Sequence, residues 1–198
     1  MRLIFSKHCI WEYPSNGKDI YLTFDDGPHP EITPWVLDLL REFDAKATFF
    51  CIGKNVEAYP NVYRRILEEG HRVGNHTHNH MNSKKVEAQV WLEDIKKASR
   101  FIDSDLFRPP YGQISRFRAN VLAAANPAYR MIMWSVLSGD FDKNLDTNDC
   151  FTIVRKHSKP GGIIVFHDSE KAWPRLEKCL PETLKFLKKE GYIFRTIR

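Results

Sequence analysis

An α/β fold built around a parallel sheet is the class this sequence predicts, on three observations. Short β-rich runs alternate with longer helical patterns along the chain. No repeat, low-complexity tract or linker divides the 198 residues, so 1–198 read as a single domain with a sizeable core. Aspartates, histidines and an arginine gather directly after the apolar runs, where parallel α/β folds build their sites.

In chain order, the first strand is 20–24 (Ile-Tyr-Leu-Thr-Phe). A helix follows, with Thr33 as its cap, Pro34 in its first turn, and Ile32, Trp35, Val36, Leu39, Leu40 and Phe43 at helical spacing. The second strand is 47–52. Pro60 opens a helix carrying Tyr63, Ile66 and Leu67 that stops at Gly70, and 71–75 is a short third strand. A long amphipathic helix spans 86–102, with Trp91, Ile95, Ala98 and Ile102 along one face. Residues 106–108 form a brief fourth strand stopped by Pro109-Pro110; a helix at 115–125 and a fifth strand at 129–135 follow. Asp146 or Thr147 caps the next helix, and Gly161-Gly162 leads into the apolar strand 163–166. Residues 181–190 form a helix closed by Gly191, and 192–197 is a last strand. Seven strands with helices between them fit a parallel sheet, open or closed into a barrel.

Composition narrows the partners. Hydrophobic residues at 42% and charged residues at 28% are ordinary values for a globular chain. The net charge is +5, but Lys and Arg are scattered among Asp and Glu, so no nucleic-acid partner is expected. Cys9, Cys51, Cys150 and Cys179 lie far apart without a Cys-x-x-Cys pair, which argues against a disulfide framework or a zinc–cysteine cluster. Near the N-terminus only Leu3-Ile4-Phe5 are consecutively apolar. A secretory signal needs roughly 7–15 such residues and a spanning helix about 20. The expectation is no stable membrane insertion and, by default, a cytoplasmic location; a leader preceding this sequence would move it to the cell envelope or outside.

Five segments carry the chemistry: Asp25-Asp26-Gly27, His76-Thr77-His78-Asn79-His80, Arg108-Pro109-Pro110-Tyr111, Asp140, and His167-Asp168. His76 and His80, four apart, can reach one metal ion from one side of a helical turn, and His78 could replace either. A carboxylate from the tandem Asp25-Asp26 would complete a three-ligand set, since successive strand side chains point in different directions. Alone, Asp-Asp-Gly-Pro is an ordinary turn.

Taken together and in this order, Thr23-Phe24-Asp25-Asp26-Gly27-Pro28, His76-Thr77-x-x-His80, Arg108-Pro109-Pro110-Tyr111 and Val165-Phe166-His167 resemble the polysaccharide deacetylase family, the NodB-homology or carbohydrate esterase 4 domain. The resemblance covers nearly the whole chain from Tyr21 onward. It implies a distorted (β/α)7 barrel. By resemblance, Asp25 is the catalytic base, Asp26, His76 and His80 hold the metal, and Arg108 holds Asp25. His167 is then the general acid, oriented by Asp140. Tyr111 shapes the acetate pocket and offers its backbone N–H to the oxyanion, while Phe141 and Val165 face the substrate. The implied cofactor is a divalent metal, Zn2+ first, with Co2+, Ni2+ or Mn2+ as alternatives. The implied partner is an acetylated saccharide that loses its N-acetyl groups. The sequence leaves the oligomeric state open.

Two positions depart from the family pattern. Phe141 stands where the fourth motif has Trp, and Val165 where the fifth has Leu. Both stay apolar and bear on substrate preference. The same metal site acting on O-acetyl esters of a xylan type, or on a non-sugar amide or imide, is the alternative activity. A carbohydrate-binding protein without activity is a third reading, and it predicts a lost ligand, base or acid; none is lost here. Short loops predict a shallow, open site. His71 and His157 fit no motif and are read as surface or cap residues, His29 as an exposed loop residue, and Asp168 as a turn residue. Trp35 and Trp91 are read as core; Trp134 is read either as lining the site or as strand core.

Overall fold

A computed structural model describes residues 8–198 of the chain. The N-terminal run read for a leader falls on 1–7, outside the described residues. Nine short strands pair in parallel: β1 (Cys9–Ile10), β2 (Asp19–Asp25), β3 (Ala47–Cys51), β4 (Arg72–Asn75), β5 (Leu106–Phe107), β6 (Arg130–Ile132), β7 (Val136–Leu137), β8 (Ile163–His167) and β9 (Ile193–Phe194). In space they run β1-β6-β5-β4-β3-β2-β8-β7, with β9 added to the start of β2. Seven helices connect them: α1 (Ile32–Glu42), α2 (Gly53–Ala58), α3 (Pro60–Glu68), α4 (Ala88–Ala98), α5 (Arg116–Ala123), α6 (Thr147–His157) and α7 (Trp173–Lys189). The sheet curls until the segment after β1 meets the start of β8, where Tyr13 N–H donates to Gly161 O. The result is the predicted distorted (β/α) barrel.

Strand alternation divides the core in two. Ile20, Leu22 and Phe24 of β2, Phe49 of β3 and Ile164 and Phe166 of β8 pack outward under the helices. Their alternates Tyr21, Phe50, Leu106, Ile132 and Ile163 fill the barrel interior with Ile197. Each fully buried side chain of this kind stabilises the fold by about 1.5–3 kcal/mol. Ile197 forms the barrel floor, its N–H donating to Thr48 Oγ1. With the lower barrel filled by apolar groups, polar chemistry is confined to the upper rim.

Several elements differ from the sequence reading. The strand predicted at 129–135 stops at Ile132 and a separate strand, β7, starts just beyond it at Val136, because the chain crosses from the β6 ladder to the β8 ladder at Met133–Ser135: Met133 N–H donates to Ile10 O and Ser135 N–H to Ile163 O. The helix predicted at 86–102 ends at Ala98, and Ile102 is buried from the turn that follows. Pro181 does not open a helix; it lies inside α7. Leu176, Cys179 and Leu180 extend the buried stripe of Leu184 and Leu187 upstream of it, and burying that stripe outweighs the roughly 3 kcal/mol a mid-helix proline costs. β1 and α2 have no counterpart in the reading, being too short to show a period.

Thr33 is not the cap of α1; Glu31 holds the N-cap position, without a side-chain cap bond. The half-buried His29, two residues earlier, accepts the backbone N–H groups of Glu31 and Ile32 on its Nδ1. His71 is buried rather than superficial: its Nδ1 accepts Ala47 N–H, and burial lowers its pKa to about 4, keeping the ring a neutral acceptor. His157 sits exposed in the last turn of α6 as expected. All four cysteines are free. Among the described residues no helix is long and apolar enough to cross a membrane.

Candidate active site

The site starts from the inward alternation of β2, which aims Thr23 and Asp25 into the upper barrel. Beneath Asp25 lies Arg108, completely buried at the end of β5. Its guanidinium donates to Asp25 Oδ1 at 2.7 Å, to Thr23 Oγ1 at 2.8 Å, and to the carbonyls of Ile132 and Met133 at 3.0 Å each. The ring of Phe50 lies 4.1 Å below it. Burial alone would raise the pKa of Asp25, but Arg108, with His76 and His167, outweighs it and holds the carboxyl below its ordinary value. Asp25 therefore remains a carboxylate, with Oδ1 engaged by Arg108.

One residue on, the backbone turns into the left-handed region (Asp26 φ 81°) and the carboxylate swings away from Asp25. Asp26 Oδ1 lies 3.2 Å from His80 Nε2 and 3.8 Å from His76 Nε2. That oxygen is buried and has no hydrogen-bond partner. His76 Nδ1 lies 2.7 Å from Arg108 O, a bond that makes Nδ1 the protonated nitrogen and leaves the Nε2 lone pair facing Asp26. Burial, then His76, lowers the pKa of His80 to about 4, so its ring is neutral. All three donor atoms lie within 4.8 Å of one another. Metal–ligand bonds of about 2.0–2.2 Å in tetrahedral geometry space donors by roughly 3–3.5 Å, so two imidazole nitrogens and an orphaned carboxylate oxygen fit a divalent cation. His78 is not part of this set: its ring packs against Phe101, on the α4 side.

The loops holding this set are strained and clamped. Thr77 (φ 64°) and His80 (φ 55°) are left-handed, as is Tyr111 (φ 62°). For non-glycine residues such conformations cost about 1–3 kcal/mol each and persist only where neighbours over-determine them. Here the buried carboxylate of Asp94 on α4 accepts the backbone N–H groups of His78 and Asn79, both at 2.9 Å, and the Asn79 side chain at 2.6 Å. Asp168 clamps the other loop. It is buried, not a simple turn residue: it accepts Gly27 N–H at 3.0 Å and bonds to Thr33 Oγ1. A Cβ at Gly27 would lie 2.1 Å from Asp168 Oδ2, so only glycine fits. Burial raises the pKa of Asp168 to about 8.

On the far side of Asp25, β8 places His167 opposite it in register. His167 Nδ1 lies 2.8 Å from Asp140 Oδ1, and Asp140 Oδ2 accepts the backbone N–H of His167 at 2.7 Å. Burial would lower the pKa of His167, yet the Asp140 carboxylate overcomes it and raises the value to about 9. The imidazolium is thus the resident form at neutral pH, with Asp140 fully buried behind it.

A profile described as polysaccharide deacetylase matches residues 12–129. A peptidoglycan-N-acetylglucosamine deacetylase of Bacillus cereus is 38% identical over 196 residues, covering 96% of this chain and 91% of its own. The chain belongs to the polysaccharide deacetylase family. A chitooligosaccharide deacetylase of Azorhizobium caulinodans is 36% identical over 77% of this chain and 75% of its own. Among solved structures, the peptidoglycan N-acetylglucosamine deacetylase Bc1960, in complex with 4-naphthalen-1-yl-N-oxidanyl-benzamide, superposes with a TM-score of 0.83 at 32% identity, covering 96% of this chain and 91% of its own. Members of this family are hydrolases acting on carbon–nitrogen bonds other than peptide bonds.

In this member of the family the motif residues converge on one cleft of about 490 Å³. Asp25, Asp26, His76, His80, Tyr111, Phe141, Val165 and His167 line it, and Arg108 and Asp140 stand behind it. Tyr111 is 60% exposed, leaning over His80 with ring centroids 4.7 Å apart. Phe141 meets His167 edge-on at 5.0 Å. Trp134 lines the cleft, and a Cβ on Gly112 would come within 2.4 Å of its ring. Leu137 and Lys171 complete the wall and had no sequence signal. Trp91 is core, and Trp35 packs edge-on against Trp173.

Proposed function

We propose that the protein hydrolyses the N-acetyl group of N-acetylglucosamine units in a glycan, giving acetate and a free amino sugar. One observation carries this reading: along one rim, a carboxylate held ionised by Arg108 stands between an Asp-His-His donor set and an imidazolium held by Asp140. Named relatives that act on peptidoglycan and chitooligosaccharides support the substrate class.

A divalent metal held by Asp26, His76 and His80 would supply Lewis-acid polarisation of the acetyl carbonyl and a lowered pKa for water; Zn2+ suits this donor set, as do Co2+, Ni2+ and Mn2+. Asp25 accepts a proton from the attacking water on Oδ2, the oxygen that Arg108 does not engage. The Tyr111 backbone N–H faces the developing oxyanion. His167 donates its Nε2 proton to the amine nitrogen as the carbon–nitrogen bond breaks, without which the amine is a very poor leaving group. Asp140 keeps that proton in place on the imidazolium. Trp134, Leu137 and Val165 bound the space for the acetyl methyl.

Acetate release from N-acetylglucosamine oligomers, by metal-stripped protein with and without added Zn2+ or Co2+, tests this reading. We expect metal-dependent release that Asp25→Asn abolishes. Release from O-acetyl esters or imides alone would overturn the substrate class.

A further inference from the structure

We propose that the rim of the cleft beside His167 is a subsite for a carboxylate on the glycan, supplied by Lys171 with Lys143, so that acidic glycans are favoured over neutral ones. This rests on the proposed deacetylase reading and narrows its substrate class.

Among the residues lining the cleft, Lys171 is the one with a fixed positive charge. Its ammonium lies over the ring of Phe141, 5.4 Å from the centroid, and Phe141 touches His167. The cation therefore stands one aromatic ring away from the group that faces the departing nitrogen. Its backbone is anchored: Arg175 Nη2 donates to Lys171 O while Arg175 Nε donates to Asp140 O. Arg175 is thereby committed to the wall, whereas Lys143 shares with Lys171 the depression that adjoins the cleft. Glu170 borders the same depression, but its carboxylate is turned to His29 Nε2 at 3.6 Å. Among the described residues neither lysine has a carboxylate partner, so both charges are open to a ligand. A sugar bound by its acetamido group between Asp25 and His167 would place its neighbour near this rim. On a neutral oligomer that neighbour offers hydroxyl and acetamido groups. On a glycan with muramic-type units whose lactyl carboxyl is free it offers a carboxylate, which the two lysines bordering the depression would recognise.

The test measures binding on the Asp25→Asn background by calorimetry, so it stands whether or not turnover occurs. The probes are an alternating N-acetylglucosamine–N-acetylmuramic acid tetrasaccharide with free lactyl carboxylates and the neutral N-acetylglucosamine tetramer. We expect the acidic probe to bind more tightly. Lys171→Gln should lower the ratio of affinities about threefold and Lys143→Gln/Lys171→Gln about tenfold, as rim charge pairs do. Added salt should narrow the ratio, while Lys96→Gln, exposed on α4, should leave it unmoved. An equal affinity for both probes, binding of neither, or a ratio untouched by the lysine substitutions would overturn the subsite. Absence of acetate release from the unsubstituted, metal-loaded protein, with the ratio intact, would instead strike only the proposed reaction.

Discussion

His167 and Asp140 show how single residues set the working pH. The ring carries its proton up to a pKa of about 9 because the buried Asp140 carboxylate lies 2.8 Å from Nδ1. The folded value is raised above the ordinary 6.5, so the pair's contribution to stability is fully present below pH 6.5 and is lost as pH rises through about 9. Activity that needs the imidazolium fades over the same upper range. Asp140→Asn removes the largest influence that raises the His167 pKa and leaves burial opposed only by the Asp26 and Asp25 carboxylates. The alkaline limb of kcat/KM against pH should then move down from near 9, and a profile recorded on both proteins would refute the assignment if the limb stayed. All ten residues singled out by motif lie in or directly behind the cleft. Their segments were legible because polar residues follow apolar strand runs, and their roles, those of Tyr111, Phe141 and Val165 included, came from the order of the family's motifs. Asp168 was not legible: a His-Asp pair after a strand resembles a turn, and only Gly27 and Thr33, 141 and 135 residues away, make it a clamp.

At the scale of elements, rigid secondary structure holds the strained loops. α4 contributes no residue to the cleft lining, yet its Asp94 accepts three hydrogen bonds from the segment between His76 and His80. Asp94→Ala leaves two backbone N–H groups without an acceptor and frees His80 to leave its left-handed conformation. Supporting residues of this kind typically contribute about 10–100-fold to metal affinity. Chelator competition with Zn2+ should show a loss of that size, with the strand and helix content retained by circular dichroism; unchanged affinity would remove Asp94 from the support of the site. Long elements with a repeating apolar pattern, such as β2, β8 and α1, could be read from the chain. Short ones could be read only where a neighbour marked them, as Pro109-Pro110 mark the end of β5. β1 has two residues and α2 six, below the length at which either period shows, and no such mark bounds them. Pro181 misled for a different reason, since the stripe that overrides it becomes visible only when α7 is packed on the sheet.

For the whole molecule, a metal that binds the folded state alone stabilises it by mass action. At 100 times its dissociation constant the gain is about 2.7 kcal/mol. For a chain of this size that is roughly 5–11 °C in Tm, at about 2–4 °C per kcal/mol. A thermal melt with and without Zn2+ should show the shift, and His76→Ala should abolish it; a shift persisting in that variant would locate the ion elsewhere.

The sheet order also bears on how the chain is made. β2 lies between β3, which follows it closely, and β8, about 140 residues later in synthesis. At about 5–20 residues per second the ribosome leaves that edge of β2 without its neighbour for roughly 7–28 s. Throughout that interval the strand bearing Asp25 presents an open, apolar, hydrogen-bonding edge, the kind of surface that pairs with other nascent chains. The crowded arrangement that makes the rim chemically competent thus also makes the newborn chain dependent on protection until its last third has emerged.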